Sequence, residues 1–103
     1  MLLLKQRKRI VIEIVFSKKA NQRLKELALY IFKKFQDADI VDIYLDKLMH
    51  FIIDTLVNFP LAGRSCEEYG KGTRKLVYQG FSIIYRIGLE QIEILTIYKE
   101  NLP

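Results

Sequence analysis

Hydrophobic positions change period along this chain, from two to three-and-four and back to two. Ile10, Ile12, Ile14 and Phe16 alternate, as one face of a β-strand requires, and Val11 and Val15 make the other face apolar as well. Such a strand is expected to be central in its sheet or covered on both sides. From Ser17, a residue suited to capping a helix, Ala20, Leu24, Leu27, Ala28, Ile31 and Phe35 recur at helical spacing. Lys18, Lys19, Arg23, Lys25, Lys33 and Lys34 then lie outward, which predicts a half-buried, basic first helix.

Asp37 or Asp39 can start a second helix running to about Asn58. Its main apolar face is Val41, Tyr44, Leu45, Leu48, Ile52, Leu56 and Phe59, and Ile40, Ile43, Met49, Phe51 and Ile53 widen that face beyond one packing surface. The excess marks a surface for a partner. Phe59-Pro60 ends the helix, because proline lacks the N–H and disfavours helical geometry before it, and Gly63 and Gly70 to Gly72 predict a loop.

Period two returns in three segments, Thr73 to Tyr78, Phe81 to Ile87 and Ile92 to Tyr98. Gln79-Gly80 and Gly88-Leu89-Glu90-Gln91 separate them as hairpin turns, with Gly80 and Gly88 available for positive φ. The chain thus reads as α+β: a strand, a helical hairpin, then a three-stranded antiparallel meander, with the helices packed on one face of the sheet. Residues 1–9 read as a basic extension and 10–103 as a single domain. Alternation along Phe81 to Ile87 puts Tyr85 on the helix-covered face, its hydroxyl at the rim, and Arg86 on the open face.

Charge narrows the partners. With 103 residues, half of them hydrophobic, and a formal charge of +5, the chain is a packed domain suited to an anionic partner: nucleic acid, an acidic protein segment or an anionic surface. MLLL followed by KQRKR inverts the order of a secretory signal, and the apolar run after it is too short to span a bilayer, so export and membrane insertion are not expected. The single Cys66 excludes an internal disulfide and fits a cytoplasmic location. His50 is the lone histidine, Asp42, Asp46 and Asp54 read as a solvated helix stripe, and Gly70-Lys71-Gly72-Thr73 lacks P-loop spacing. No metal site, cofactor site or catalytic residue is assigned.

The order Pro60, Gly63-Arg64, Glu67, Arg74-x-Leu76 and Ile83-Ile84-Tyr85-Arg86 resembles the ParE branch of the RelE/ParE toxin superfamily of bacterial toxin–antitoxin modules. The resemblance extends from about Ile12 to Tyr98, through FSKKANQRLKELALYIFKKF, LDKLMHFIIDTLVNFPLAGR and TRKLVYQGFSIIYRIGLEQIEILTIY. It implies a cytoplasmic toxin of a plasmid-stabilisation module, neutralised by a cognate antitoxin, free of cofactors and acting on a target such as DNA gyrase by binding instead of bond-making. Arg64, Arg74 and Arg86 are then the expected target-binding residues, and Ile43, Met49, Ile53 and Tyr98 the antitoxin or homodimer contacts.

The rival within the same resemblance is a RelE-type mRNA endonuclease working on the ribosome. Where such enzymes carry an arginine in a segment of form G-Y-R-L-V-Y, this chain has Gly80-Phe81-Ser82-Ile83-Ile84-Tyr85, and Ser82 cannot stabilise a phosphate as arginine does. After the last strand, Lys99 to Pro103 supplies neither the basic segment and tyrosine of many RelE-type enzymes nor the arginine-rich tail of many ParE proteins. An inactivated member that serves only as a binding module is the third alternative.

Overall fold

A computed structural model describes residues 12–100. The basic extension read at residues 1–9 lies outside them, as does the start of the predicted first strand. Five strands and two helices follow in the order β1 (Glu13–Phe16), α1 (Lys18–Phe35), α2 (Ala38–Asn58), β2 (Arg64–Ser65), β3 (Thr73–Tyr78), β4 (Phe81–Ile87) and β5 (Gln91–Lys99). One turn of 3-10 helix, Glu67–Tyr69, lies between β2 and β3. The sheet order is β1-β5-β4-β3-β2, with β1 parallel to β5 and every other pair antiparallel. The α+β class, the helical hairpin and the meander expected from sequence are all present.

Each local signal acts as its chemistry dictates. Ser17 Oγ accepts the Ala20 N–H at 3.0 Å, capping α1, and donates to Leu95 O at 2.8 Å. That carbonyl belongs to a bulge: Ile84 pairs with Thr96 and Tyr85 with Ile94, leaving Leu95 without a partner in β4. One hydroxyl therefore starts the helix and ties it to the sheet. Gln36 takes the left-handed conformation that closes α1, and Asp37 caps α2 by accepting the N–H groups of Asp39 and Ile40. Gln79 and Gly80, both at positive φ, make the two-residue turn of the β3–β4 hairpin.

The core lies between the helical hairpin and one face of the sheet. Leu48, Ile52 and Leu56 of α2 and Ala20 of α1 pack on Leu76, Phe81, Ile83, Tyr85, Ile92, Ile94 and Ile97. Burying a Leu or Ile side chain contributes about 1.5–3 kcal/mol, so these residues hold the layers together. Phe51 stacks on Tyr78 at 4.4 Å and Phe35 on Tyr44 at 5.7 Å, closing the hairpin's two flanks.

Four expectations are corrected. β1 is an edge strand, which removes the central half of the reading 'central or covered on both sides', because its only neighbour among the described residues is β5. Phe59 is 68% exposed: the helix ends at Asn58 and Phe59 leaves helical geometry, so the apolar spacing no longer points at the core. Gly88 does not take positive φ; its turn closes by Gly88 N–H donating to Gln91 O at 2.7 Å. The loop after α2 contains β2 and a 3-10 turn, elements too short for any periodicity to register.

The first turn of that loop is fastened to the sheet by two side chains. Tyr85, fully buried in β4, donates its hydroxyl to Pro60 O at 2.7 Å and accepts the Gly63 N–H at 2.9 Å. Arg74 Nε donates to Gly63 O at 2.7 Å and its Nη2 to Leu61 O at 3.3 Å. A Cβ at Gly63 would sit 2.7 Å from Lys75 O and 2.8 Å from Tyr85 Cε1, so only glycine lets the chain lie this close to the sheet. Tyr85→Phe leaves the Gly63 N–H and Pro60 carbonyl without their partner and is expected to cost about 1–3 kcal/mol in urea unfolding. Gly63→Ala, which forces the backbone off the sheet, is expected to cost about as much in the same assay.

Candidate functional site

The fastened turn delivers β2 to the edge of the sheet, where Arg64 pairs with Lys75 and Ser65 with Arg74. Side chains of paired residues share a face, and neighbours along a strand alternate. Arg74 lies opposite Tyr85 and therefore shares the helix-covered side, where the turn's carbonyls take its guanidinium. Lys75 lies opposite Ile84 on the other side. Of the three arginines singled out by sequence, the structure brings Arg64 and Arg86 to one face and sets Arg74 on the other.

The outer face, turned away from the helices, is built from side chains of β2 to β5. Thr73 and Lys75 come from β3, Ser82, Ile84 and Arg86 from β4, Glu93, Thr96 and Tyr98 from β5, and Arg64 from β2. It is not open throughout: Ser82 and Ile84 are fully buried, and Thr73 nearly so. Thr73 Oγ1 lies 2.6 Å from Cys66 O and 2.8 Å from Gly70 O, its one proton shared between the two carbonyls, which folds the Cys66-to-Gly72 segment back against β3. Burial pushes the Cys66 thiol up, away from the thiolate form a nucleophile needs.

This fold-back brings Tyr69 to Tyr98. Their hydroxyls lie 2.9 Å apart, with Tyr69 donating, and Lys75 Nζ stands 5.8 Å from the Tyr98 ring centroid. The hydrogen bond with Tyr98 holds the Tyr69 phenol protonated, pushing its pKa up to about 12. At the end of β5, Glu100 N–H donates to Gly80 O at 2.7 Å, and Glu100 Oε1 accepts both Lys75 Nζ and Ser82 Oγ at 2.7 Å. The Lys75 ammonium, then the Ser82 hydroxyl, hold the Glu100 carboxyl below its ordinary range; Glu100 in turn raises Lys75. Arg86 is exposed beside Gly70 and opposite Glu93.

A second surface lies on the outer side of α2. Ile43 is 53% exposed and Ile53 43%, Met49 is half-buried, and Asp46, Met49, His50, Ile53 and Asp54 line a shallow depression of about 370 Å³. Val57, Phe59 and Leu61 continue the exposed apolar strip into the turn. Tyr98, grouped by sequence with Ile43, Met49 and Ile53, lies instead on the outer face of the sheet. Among the described residues no three His, Cys, Asp or Glu side chains converge to hold a metal, and no helix is long and apolar enough to cross a membrane.

Lys75, Tyr69 and Glu100 are residues of the candidate face that the sequence did not single out. A signal for Lys75 existed, since a two-residue Gln79-Gly80 turn sets Tyr78 opposite Phe81 and hence Arg74 opposite Tyr85 and Lys75 opposite Ile84. No comparable signal marks Tyr69 or Glu100, whose positions depend on the fold-back and on the end of β5.

Two measurements check these electrostatics. In a phenolate-absorbance titration one tyrosine should ionise near 12, and Tyr98→Phe should return it toward the ordinary value of about 10. The depressed Glu100 adds stability above its unfolded pKa that is lost as pH falls through the folded one. The raised Lys75 adds stability at lower pH that is lost as pH rises through its folded pKa. Glu100→Gln should therefore flatten the acid limb of thermal stability, between about pH 5 and pH 2, relative to wild type.

The sequence model of the ParE toxin of type II toxin–antitoxin systems matches residues 14–101. No curated protein matches the chain. Among solved structures, the fold is similar to one from the chromosomal ParDE system of P. aeruginosa, at TM-score 0.72 and 16% identity over 90% of this chain and 100% of that one. It is similar also to a chain of the toxin–antitoxin complex RelBE2 of Mycobacterium tuberculosis, at TM-score 0.65 and 19% identity over 90% and 95% of the two chains. YafQ of E. coli gives TM-score 0.51 and 16% identity over 85% and 92%. With its family sequence pattern spanning nearly the whole described domain, and the RelE/ParE-like sheet and helical hairpin beneath it, this chain belongs to the ParE toxin family of type II toxin–antitoxin systems.

Proposed function

We propose that the chain is a toxin that acts by binding its target, DNA gyrase, through the outer face of the sheet, and is neutralised by a cognate antitoxin. The observation that carries this reading is Ser82. At the position where RelE-type enzymes carry an arginine, a fully buried hydroxyl is committed to the chain's own Glu100. Such a group cannot neutralise charge on a scissile phosphate. What remains exposed on that face, Arg64 and Arg86, suits recognition of a carboxylate or phosphate. Arg74 serves the same surface by holding the turn that presents Arg64.

The antitoxin is assigned to the outer side of α2. Ile43, Ile53, Val57, Phe59 and Leu61 give it apolar anchors, and with Asp46 and Asp54 standing among them the fitting occupant is an amphipathic segment that folds as it binds. Relatives of similar fold are known from a ParDE system and a RelBE2 complex, which supports a toxin–antitoxin hetero-oligomer here. A ribosome-dependent mRNA endonuclease is the second reading, favoured by the Tyr69–Tyr98 pair beside Lys75 on a basic face. Neither reading assigns a metal or cofactor, and both place the work in the cytoplasm.

A supercoiling assay with purified gyrase, run beside a translation assay scored for mRNA cleavage, separates the two. Inhibited supercoiling with intact mRNA is expected; cut mRNA with unaffected supercoiling would move the assignment to the endonuclease. Arg64→Ala and Arg86→Ala should each weaken gyrase inhibition by about tenfold, the effect of losing roughly 1.4 kcal/mol at an interface, with urea unfolding unchanged. Arg74→Ala should lower stability as well.

A further inference from the structure

Lys75, Ser82 and Glu100 form a closed corner on the outer face. Lys75 Nζ and Ser82 Oγ come from neighbouring strands and converge on one oxygen, Glu100 Oε1, each at 2.7 Å. Both donors are sequestered: the Lys75 side chain is 13% exposed and Ser82 is fully buried. Arg64 stands on the same face, opposite Lys75 in the strand register. A cation and a hydroxyl aimed at one acceptor oxygen, with a second cation alongside, is the donor set of an oxyanion site.

The occupant is the less firmly held part. Glu100 follows the last residue of β5, its side chain is 38% exposed, and its backbone N–H donates to Gly80 O across the turn. Lys75 and Ser82, by contrast, sit within paired strands.

We infer that the Lys75–Ser82 corner is a phosphate-binding subsite that Glu100 fills as an internal stand-in and thereby holds shut. The ligand class follows from what must be displaced. An incoming carboxylate would replace Glu100 like for like and gain nothing against a group tethered in place. A phosphate group brings more charge and a third acceptor oxygen, which Arg64 can take in addition. The subsite rests on the outer face being the working surface, and it makes Glu100 the group that tunes affinity there.

The test is a titration of the full chain with inorganic phosphate at constant ionic strength, followed by amide chemical shifts. Wild type should bind weakly and Glu100→Gln at least about tenfold more tightly, since a site occupied nine-tenths of the time by its own carboxylate loses that factor. Shifts should centre on Lys75, Ser82 and Tyr98, and adding Lys75→Met to Glu100→Gln should abolish the gain. Glu100→Ala is the second variant, expected to bind like Glu100→Gln should that one fold poorly. Acetate at the same concentration should not match phosphate. Equal affinity in wild type and both Glu100 variants, a gain that survives Lys75→Met, or acetate binding as tightly as phosphate would each overturn the proposal. Phosphate binding is read without toxin activity, so a protein that bound phosphate yet left gyrase untouched would refute the target and keep the subsite.

Discussion

The Tyr85 hydroxyl, buried between the Pro60 carbonyl and the Gly63 N–H, is the interaction on which the half of the molecule bearing the candidate site depends. Proline has no N–H to place, glycine brings no Cβ, and Arg74 takes two more carbonyls of the same turn. The turn therefore lies flat on the sheet with three of its carbonyls and the Gly63 N–H bonded to side chains, although no strand ladder runs through it. Its exit vector sets β2, and β2 sets Arg64. A tyrosine in the core thus determines where a cation appears on the opposite face.

Two surfaces divide the remaining chemistry. The outer face of the sheet carries Arg64, Lys75, Arg86 and the Tyr69–Tyr98 pair, with two carboxylates, Glu93 opposite Arg86 and Glu100 drawn in beside Lys75. The outer side of α2 carries apolar side chains among aspartates. α1, with its lysines outward, lies beside it. A small domain with this much exposed apolar side chain gains stability from any partner that binds the folded state, which is the physical sense in which a toxin of this family and a partner protein suit one another.

Most of the scaffold was legible because period and punctuation agree along the sequence. Ser17 and Asp37 cap the helices they precede, and Gln79-Gly80 makes the turn its composition demands. Of the two readings of β1, central or covered on both sides, the central one fails, because apolar residues on both faces say that a strand is covered, not that it has two neighbours. The site was less legible. Grouping Arg64, Arg74 and Arg86 by charge ignored the alternation that separates Arg74 from Lys75, and that register was recoverable from the hairpin turn. Tyr69 and Glu100 were not recoverable, since each reaches the face through non-repeating backbone whose course depends on tertiary hydrogen bonds.

If the turn from Pro60 to Gly63 is held as described, the Gly63 amide should exchange with solvent only when the domain opens globally, although it lies in a loop. Native-state hydrogen exchange reads this directly. Protection of the Gly63 N–H comparable to that of Ile83 and Tyr85 in β4, lost in Tyr85→Phe, is the predicted result. Exchange of Gly63 at the rate of an exposed loop in the wild-type protein would contradict the account.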